Sequence, residues 1–141
     1  MDMMKKKIPT KSYYMNETVT IHLNGNEYPI PLSPENRPGK QLLLQHAGEP
    51  VNGIPTDILL ELDVDIGDGT YIIDGDDMIQ TNIYSREYEK QIYQMNLTIV
   101  TGQEVPAKVH FIDGYQLKIE GYGLTRSDGT RGDYYIVVKL I

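Results

Sequence analysis

Two stretches of this chain repeat one another, and that repetition limits the fold more than any other feature. Gln41-Leu42-Leu43-Leu44, Gly48, Asn52-Gly53, Asp57 and Leu60-Glu61-Leu62 recur in order as Gln116-Leu117-Lys118-Ile119, Gly123, Asp128-Gly129, Asp133 and Ile136-Val137-Val138. The offset of about 75 residues is too long for a solenoid period and reads as duplication of one small unit. Each copy is a strand, a glycine-bearing loop, an aspartate and a second strand. Gly48 and Gly123 are expected at positive φ, which other residues resist. Asp57 and Asp133 are expected to accept backbone N–H bonds and secure the loop exit. These four are the structural residues of the repeat.

Period-two alternation and β-branched residues dominate elsewhere, and helical periodicity is nearly absent. Thr18 to Leu23 alternates and stops at Asn24-Gly25-Asn26, a hairpin turn. Tyr28-Pro29-Ile30-Pro31-Leu32 continues as an edge or bulged strand, because its prolines cannot donate to a ladder. Further strands are expected at 41–45, 57–64, 78–84, 95–100, 107–112, 116–120 and 134–140, with a loop at 48–56. Ser85–Gln91 is the one helix candidate, with Ser85 as cap. The expected fold is all-β: two tandem small β-sandwich lobes at 17–65 and 71–141, joined near Gly67–Thr70, behind a flexible tail at 1–16. The second lobe reads as complete and the first as shortened.

Charge and cysteine content narrow the function classes. Thirteen Lys and Arg against 20 Asp and Glu give a net charge of −7, so neither nucleic acid nor an anionic membrane is an expected partner. The absence of cysteine removes disulfides, thiolate zinc sites and cysteine nucleophiles, and fits a cytoplasmic location. Lys5-Lys6-Lys7 is followed by Ile8-Pro9-Thr10-Lys11 rather than by an apolar run, so export by a signal peptide is not expected.

At the repeat the chain resembles the C-terminal, polypeptide-binding region of DnaJ-type heat-shock cochaperones. The residues that carry the resemblance are Arg37-Pro38-Gly39-Lys40-Gln41-Leu42-Leu43-Leu44, Gly48-Glu49-Pro50 and Thr56-Asp57-Ile58-Leu59 in the first lobe, and Gly123-Leu124 and Asp128 to Tyr135 in the second. Tyr71 to Met78, Tyr-Ile-Ile-Asp-Gly-Asp-Asp-Met, resembles the family's opening of its second lobe. The likeness covers roughly residues 17–141. It implies two β-sandwich lobes that capture non-native polypeptide without hydrolysing ATP, with an ATP-driven heat-shock chaperone as a further partner. The family's His-Pro-Asp tripeptide, helical J-domain and Cys-rich zinc module are absent from this sequence. The glycine of its Ala-x-x-Gly element is missing at Glu89-Lys90-Gln91-Ile92. By the same resemblance, the leading strands of the first lobe line a peptide groove, which places Ile21, Leu23, Tyr28, Ile30 and Leu32 as candidate binding residues. The alternative is that these five are ordinary core.

No pattern supports catalysis, and the chain is expected to be a non-enzyme that uses no cofactor and no metal. Asp63-Val64-Asp65-Ile66-Gly67-Asp68-Gly69-Thr70…Asp74 invites a calcium reading. Counted from Asp63, however, position five is Gly67, six is Asp68 and twelve is Asp74, which breaks the EF-hand register. His22, His46 and His110 have no ligand spacing, and no serine sits in a nucleophile elbow. Eleven tyrosines against one Phe and no Trp suit either contact with a polymer or half-exposed strands. Two other functions remain open: an assembly module pairing through exposed β edges, and a tyrosine-rich sugar-binding sandwich.

Overall fold

The computed structural model describes residues 2–67 and 70–141, so the Asp68-Gly69 part of the expected joint lies outside the described residues. The chain is all-β and divides into two compact units, Met1–Asp65 and Ile66–Ile141.

Unit 1 runs β1 (Asp2–Pro9), α1 (Thr10–Tyr14), β2 (Thr18–Leu23), β3 (Asn26–Pro31), β4 (Gln41–Val51) and β5 (Ile54–Asp65). β5 lies between β1, which is parallel to it, and β4, which is antiparallel, while β2 and β3 form a separate hairpin. Asn24 (φ 49) and Gly25 (φ 76) make a two-residue turn with both central residues left-handed, the geometry whose twist matches paired strands. The core joins Ile8, Leu44, Leu60 and Leu62 of the sheet to Ile21, Ile30 and Leu32 of the hairpin side, all buried. Complete burial of each such side chain stabilises by about 1.5–3 kcal/mol.

Unit 2 repeats the scheme with β7 (Asp77–Tyr84), a 3₁₀ turn at Arg86–Tyr88, β8 (Ile92–Thr98), β9 (Glu104–His110), β10 (Gln116–Ile119) and β11 (Tyr134–Leu140), and adds β6 (Tyr71–Asp74) in front. Its sheet order is β10-β11-β7-β6, with β7 parallel to β11. Each unit is therefore strand, helical turn, hairpin, strand, strand. The copies share individual hydrogen bonds: Leu32 N–H donates to Glu17 O at 2.8 Å and Phe111 N–H to Gln91 O at 2.9 Å, while Gly39 N–H donates to Leu62 O at 2.7 Å and Gly114 N–H to Val138 O at 2.8 Å.

Four expectations are corrected. Residues 1–16 are not a flexible tail, because β1 and α1 occupy 2–14. Ile8, Tyr13 and Tyr14 anchor that segment in the core, and Lys5-Lys6-Lys7, which read as solvated tail, lie along a strand paired by its backbone to β5. The first lobe is consequently not shortened, since β1 and α1 match β7 and the 3₁₀ turn. The 48–56 loop is mostly strand, because Asn52 (φ 52) and Gly53 (φ 76) make a second tight turn that lets β4 and β5 continue to Val51↔Ile54. The Ser85–Gln91 helix is only the 3₁₀ turn, capped as expected by Ser85 Oγ, which accepts the Glu87 N–H at 3.3 Å.

The repeat's glycines also act differently from expectation. Neither Gly48 nor Gly123 has positive φ. A Cβ on Gly123 would lie 2.5 Å from Asp76 O, so backbone approach excludes a side chain there, while one on Gly48 would lie 2.3 Å from Thr56 Oγ1, so that hydroxyl would have to turn away from Glu49 O. The left-handed residue stands two positions earlier, at His46 (φ 63) and Gly121 (φ 73).

Candidate functional site

The repeat's aspartates face those left-handed residues. Asp57 Oδ1 accepts the His46 N–H at 2.9 Å, and Asp133 Oδ1 accepts the Gly121 N–H at 3.1 Å. Asp133 also lies 3.6 Å from Lys118 Nζ, and its charge is the main cause that holds the Lys118 ammonium above its ordinary range. Gly48, Asp57, Gly123 and Asp133 are thus a loop-closing device present twice.

The five candidate binding residues all point to one side of the β2–β3 hairpin. The register sets Ile21 opposite Tyr28 and Val19 opposite Ile30, and alternation puts Leu23 and Leu32 on the same face. That face is the inner one. Ile21 (4% exposed), Ile30 (4%) and Leu32 (1%) are core residues, a correction to the groove that the resemblance implied. Leu23 and Tyr28 are half-buried, and Tyr28 Oη donates to Gln45 O at 2.8 Å, tying the hairpin to β4. Asn24 Nδ2 adds a second tie, to Ala47 O at 2.6 Å.

What unit 1 leaves open is backbone. In a two-residue hairpin the pair flanking the turn exchanges hydrogen bonds and every second pair outward does the same. Leu23–Asn26, Ile21–Tyr28 and Val19–Ile30 are then the bonded pairs, while Thr18–Pro31, Thr20–Pro29 and His22–Glu27 direct their main-chain groups outward. On β3 two of those three positions are proline, which has no N–H. On β2 all three retain donor and acceptor. Among the described residues, none of Thr18, Thr20 or His22 makes a backbone hydrogen bond outside the hairpin. Thr18, Thr20 and His22 are also exposed on the outer face. The hairpin thus has one edge closed by prolines and one open edge. Sequence reading identified the prolines but placed binding in side chains, because alternation alone does not say which face of an amphipathic hairpin is covered.

Other candidates fit a structural role. Asp63 and Asp65 lie in β5 and Asp74 ends β6; among the described residues no three His, Asp or Glu are grouped to hold a metal. Tyr84 and Tyr93 meet Phe111 edge-on, with centroids 4.9 and 5.5 Å apart, and Tyr88 tilts against it at 5.6 Å. These rings pack on one another around Phe111, an arrangement typical of aromatic residues in a β protein. The outer face of the unit 2 sheet carries an open depression of about 540 Å³ beside Thr70, Thr81, Ile83, Asp113, Val137 and Lys139. Among the described residues no helix is long and apolar enough to cross a membrane.

Gln80 was missed in the sequence because a lone glutamine in a strand reads as surface. It is 3% exposed and fully engaged: Oε1 accepts the Tyr134 hydroxyl, and Nε2 donates to Thr98 O at 2.9 Å and Asn82 Oδ1 at 2.8 Å. Val100 N–H in turn donates to Tyr134 Oη at 3.0 Å. This network ties the β8–β9 hairpin side to the sheet of unit 2 and has no unpaired atom to offer a ligand. No protein-family model matches the chain, and a search of curated proteins finds no match.

Proposed function

We propose that this protein binds extended or non-native polypeptide by strand addition to the outer edge of β2, without catalysis. The observation that carries the reading is the asymmetry of the β2–β3 hairpin, with β3 closed by Pro29 and Pro31 and β2 free at Thr18, Thr20 and His22. Three outward residues offer up to about six main-chain bonds, each worth roughly 1 kcal/mol net. Such a site takes many sequences weakly, as suits a binder of unfolded chains. The blocked β3 edge leaves one edge for the incoming strand and limits pairing between hairpins.

The resemblance to the DnaJ-type polypeptide-binding region supports the same reading. One departure from that family, a first lobe with too few elements, is answered by β1 and α1. A cytoplasmic location and cooperation with an ATP-driven chaperone belong to this reading as well. The test is suppression of aggregation of a chemically unfolded client at near-stoichiometric ratio, with Thr20→Pro as the decisive variant. Thr20→Pro deletes an outward N–H that β3 does not use. Loss of most of the suppression in a folded variant supports the site, whereas equal suppression removes it from β2. No suppression by the unaltered protein, together with a discrete oligomer, would instead favour an assembly module.

A further inference from the structure

The two units differ at one sheet edge. In unit 2, β6 lies antiparallel along the outer side of β7, setting Tyr71 opposite Gln80, Ile72 opposite Ile79 and Ile73 opposite Met78. β1 is the counterpart of β7: Asp2 pairs with Ile58, the residue after Asp57, as Met78 pairs with Tyr134, the residue after Asp133. Among the described residues, nothing pairs with the outer side of β1. We propose that this vacant lane beside β1 is a second binding site, which accepts in antiparallel sense an extended segment of another protein with acidic residues followed by apolar ones.

The backbone there is prepared. Met78 N–H donates inward to Asp133 O at 3.0 Å and Thr81 N–H outward to Thr70 O at 2.9 Å. By the same alternation Met3, Lys5 and Lys7 turn their N–H and C=O groups away from β5. Among the described residues, none of these three makes a backbone hydrogen bond outside the parallel pairing.

Side chains define the occupant. Met3 is 67% exposed and continues an apolar row through Leu59 and Leu43 on the outer face of the sheet. Its counterpart Ile79 is covered on that side by Ile72, so an apolar residue opposite Met3 completes the row. Lys5, Lys6 and Lys7 follow and are exposed. Lys5 Nζ reaches inward to Glu61 Oε2 at 3.2 Å, which leaves Lys6 and Lys7 as the stronger attraction for incoming carboxylates. Three lysines on an edge repel strands that lack acidic residues, so the same residues that guard the edge select for an acidic strand. Antiparallel pairing puts the N-terminal residues of the segment against Lys7 and Lys5 and its later apolar residue against Met3. This site and the β2 edge are on different strands, and either stands without the other.

The probe is a fluorescein-labelled peptide, Glu-Asp-Glu-Tyr-Ile-Thr-Thr, titrated by anisotropy with the full chain, together with amide hydrogen exchange by NMR. Binding should slow exchange at Met3, Lys5 and Lys7. Affinity should fall about tenfold or more in the triple variant Lys5→Glu, Lys6→Glu, Lys7→Glu. Lys5→Pro, which deletes an outward N–H that β5 does not use, should weaken binding several-fold with the fold kept by circular dichroism. Equal binding of the charge-reversed peptide Lys-Arg-Lys-Tyr-Ile-Thr-Thr would overturn the proposal. So would peptide-induced protection at Thr18, Thr20 and His22 with β1 unchanged, or concentration-dependent protection of β1 without peptide, which assigns the lane to a second copy. If the triple variant fails to fold, the protection pattern in the unaltered protein decides.

Discussion

At the exit of each duplicated loop one carboxylate holds a left-handed residue in place, and the two copies solve the strain differently. Unit 2 puts glycine there (Gly121, φ 73), which adopts this conformation freely; unit 1 puts His46 (φ 63). A non-glycine residue in that region costs about 1–2 kcal/mol, and glycine in extended chain gives back about 0.5–1 through lost entropy. His46→Gly should therefore stabilise unit 1 by up to about 1 kcal/mol, read from a raised midpoint in urea. Asp57→Ala should destabilise it by about 1–3 kcal/mol, because the His46 N–H loses a charged acceptor; an unchanged midpoint would remove the loop-closing role. Tyr13 gives a pH signature. Its hydroxyl donates to Asp63 O at 2.7 Å, and burial, aided by the Asp63 charge, pushes its pKa up to about 12 from 10.0. The folded state thus resists ionisation that the unfolded state accepts. The Tyr13 contribution is complete below pH 10 and is lost as pH rises toward 12. Tyr13→Phe should flatten that part of the alkaline unfolding curve and lower stability at neutral pH by about 1 kcal/mol.

At the scale of elements, hairpins and edges decide what each unit can do. Both hairpins cover their sheets, yet the ties differ: Tyr28 and Asn24 reach β4 in unit 1, while unit 2 uses the buried Gln80–Tyr134 network. Gln80→Leu should cost about 2–4 kcal/mol, since it strands the Tyr134 hydroxyl proton and the Thr98 carbonyl together. The check is the chemical denaturation midpoint together with near-ultraviolet dichroism of the tyrosines. A neutral outcome would mean that shape alone holds the hairpin. Alternation, tight turns and the Gly–loop–Asp order were legible in sequence because each depends on neighbours within a few residues. β1 was not. Three successive lysines hide its alternation, and its pairing partner β5 begins more than forty residues away. β6, with four residues, was too short for its period to stand out.

Over the whole molecule a net charge of −7 opposes the approach of an acidic peptide, whereas the lysines of β1 attract it at contact distance. Distance settles the balance. The Debye length is about 10 Å at 0.1 M salt, so the spread-out negative charge is largely screened while contact pairs are screened less. Raising salt from about 0.1 to 0.5 M should then weaken the heptapeptide by about three- to tenfold. A rise in affinity would show that global repulsion dominates. Capture of unfolded chains at β2 rests on neutral main-chain bonds and should change little over the same range.

The duplication itself, the all-β class and the loop-closing role of Asp57 and Asp133 were determined by sequence, because they follow from short-range pattern and the capacity of a short carboxylate to accept nearby backbone N–H groups. Tertiary structure alone decided which face of the β2–β3 hairpin is covered, and so moved the candidate site from Ile21, Ile30 and Leu32 to the backbone of Thr18, Thr20 and His22. It also turned an apparent tail into the strand β1, whose partner is distant in the chain, and showed by comparison with β6 that, among the described residues, nothing pairs along its outer side. A strand's edge belongs to no residue. It exists only once every neighbour has been placed.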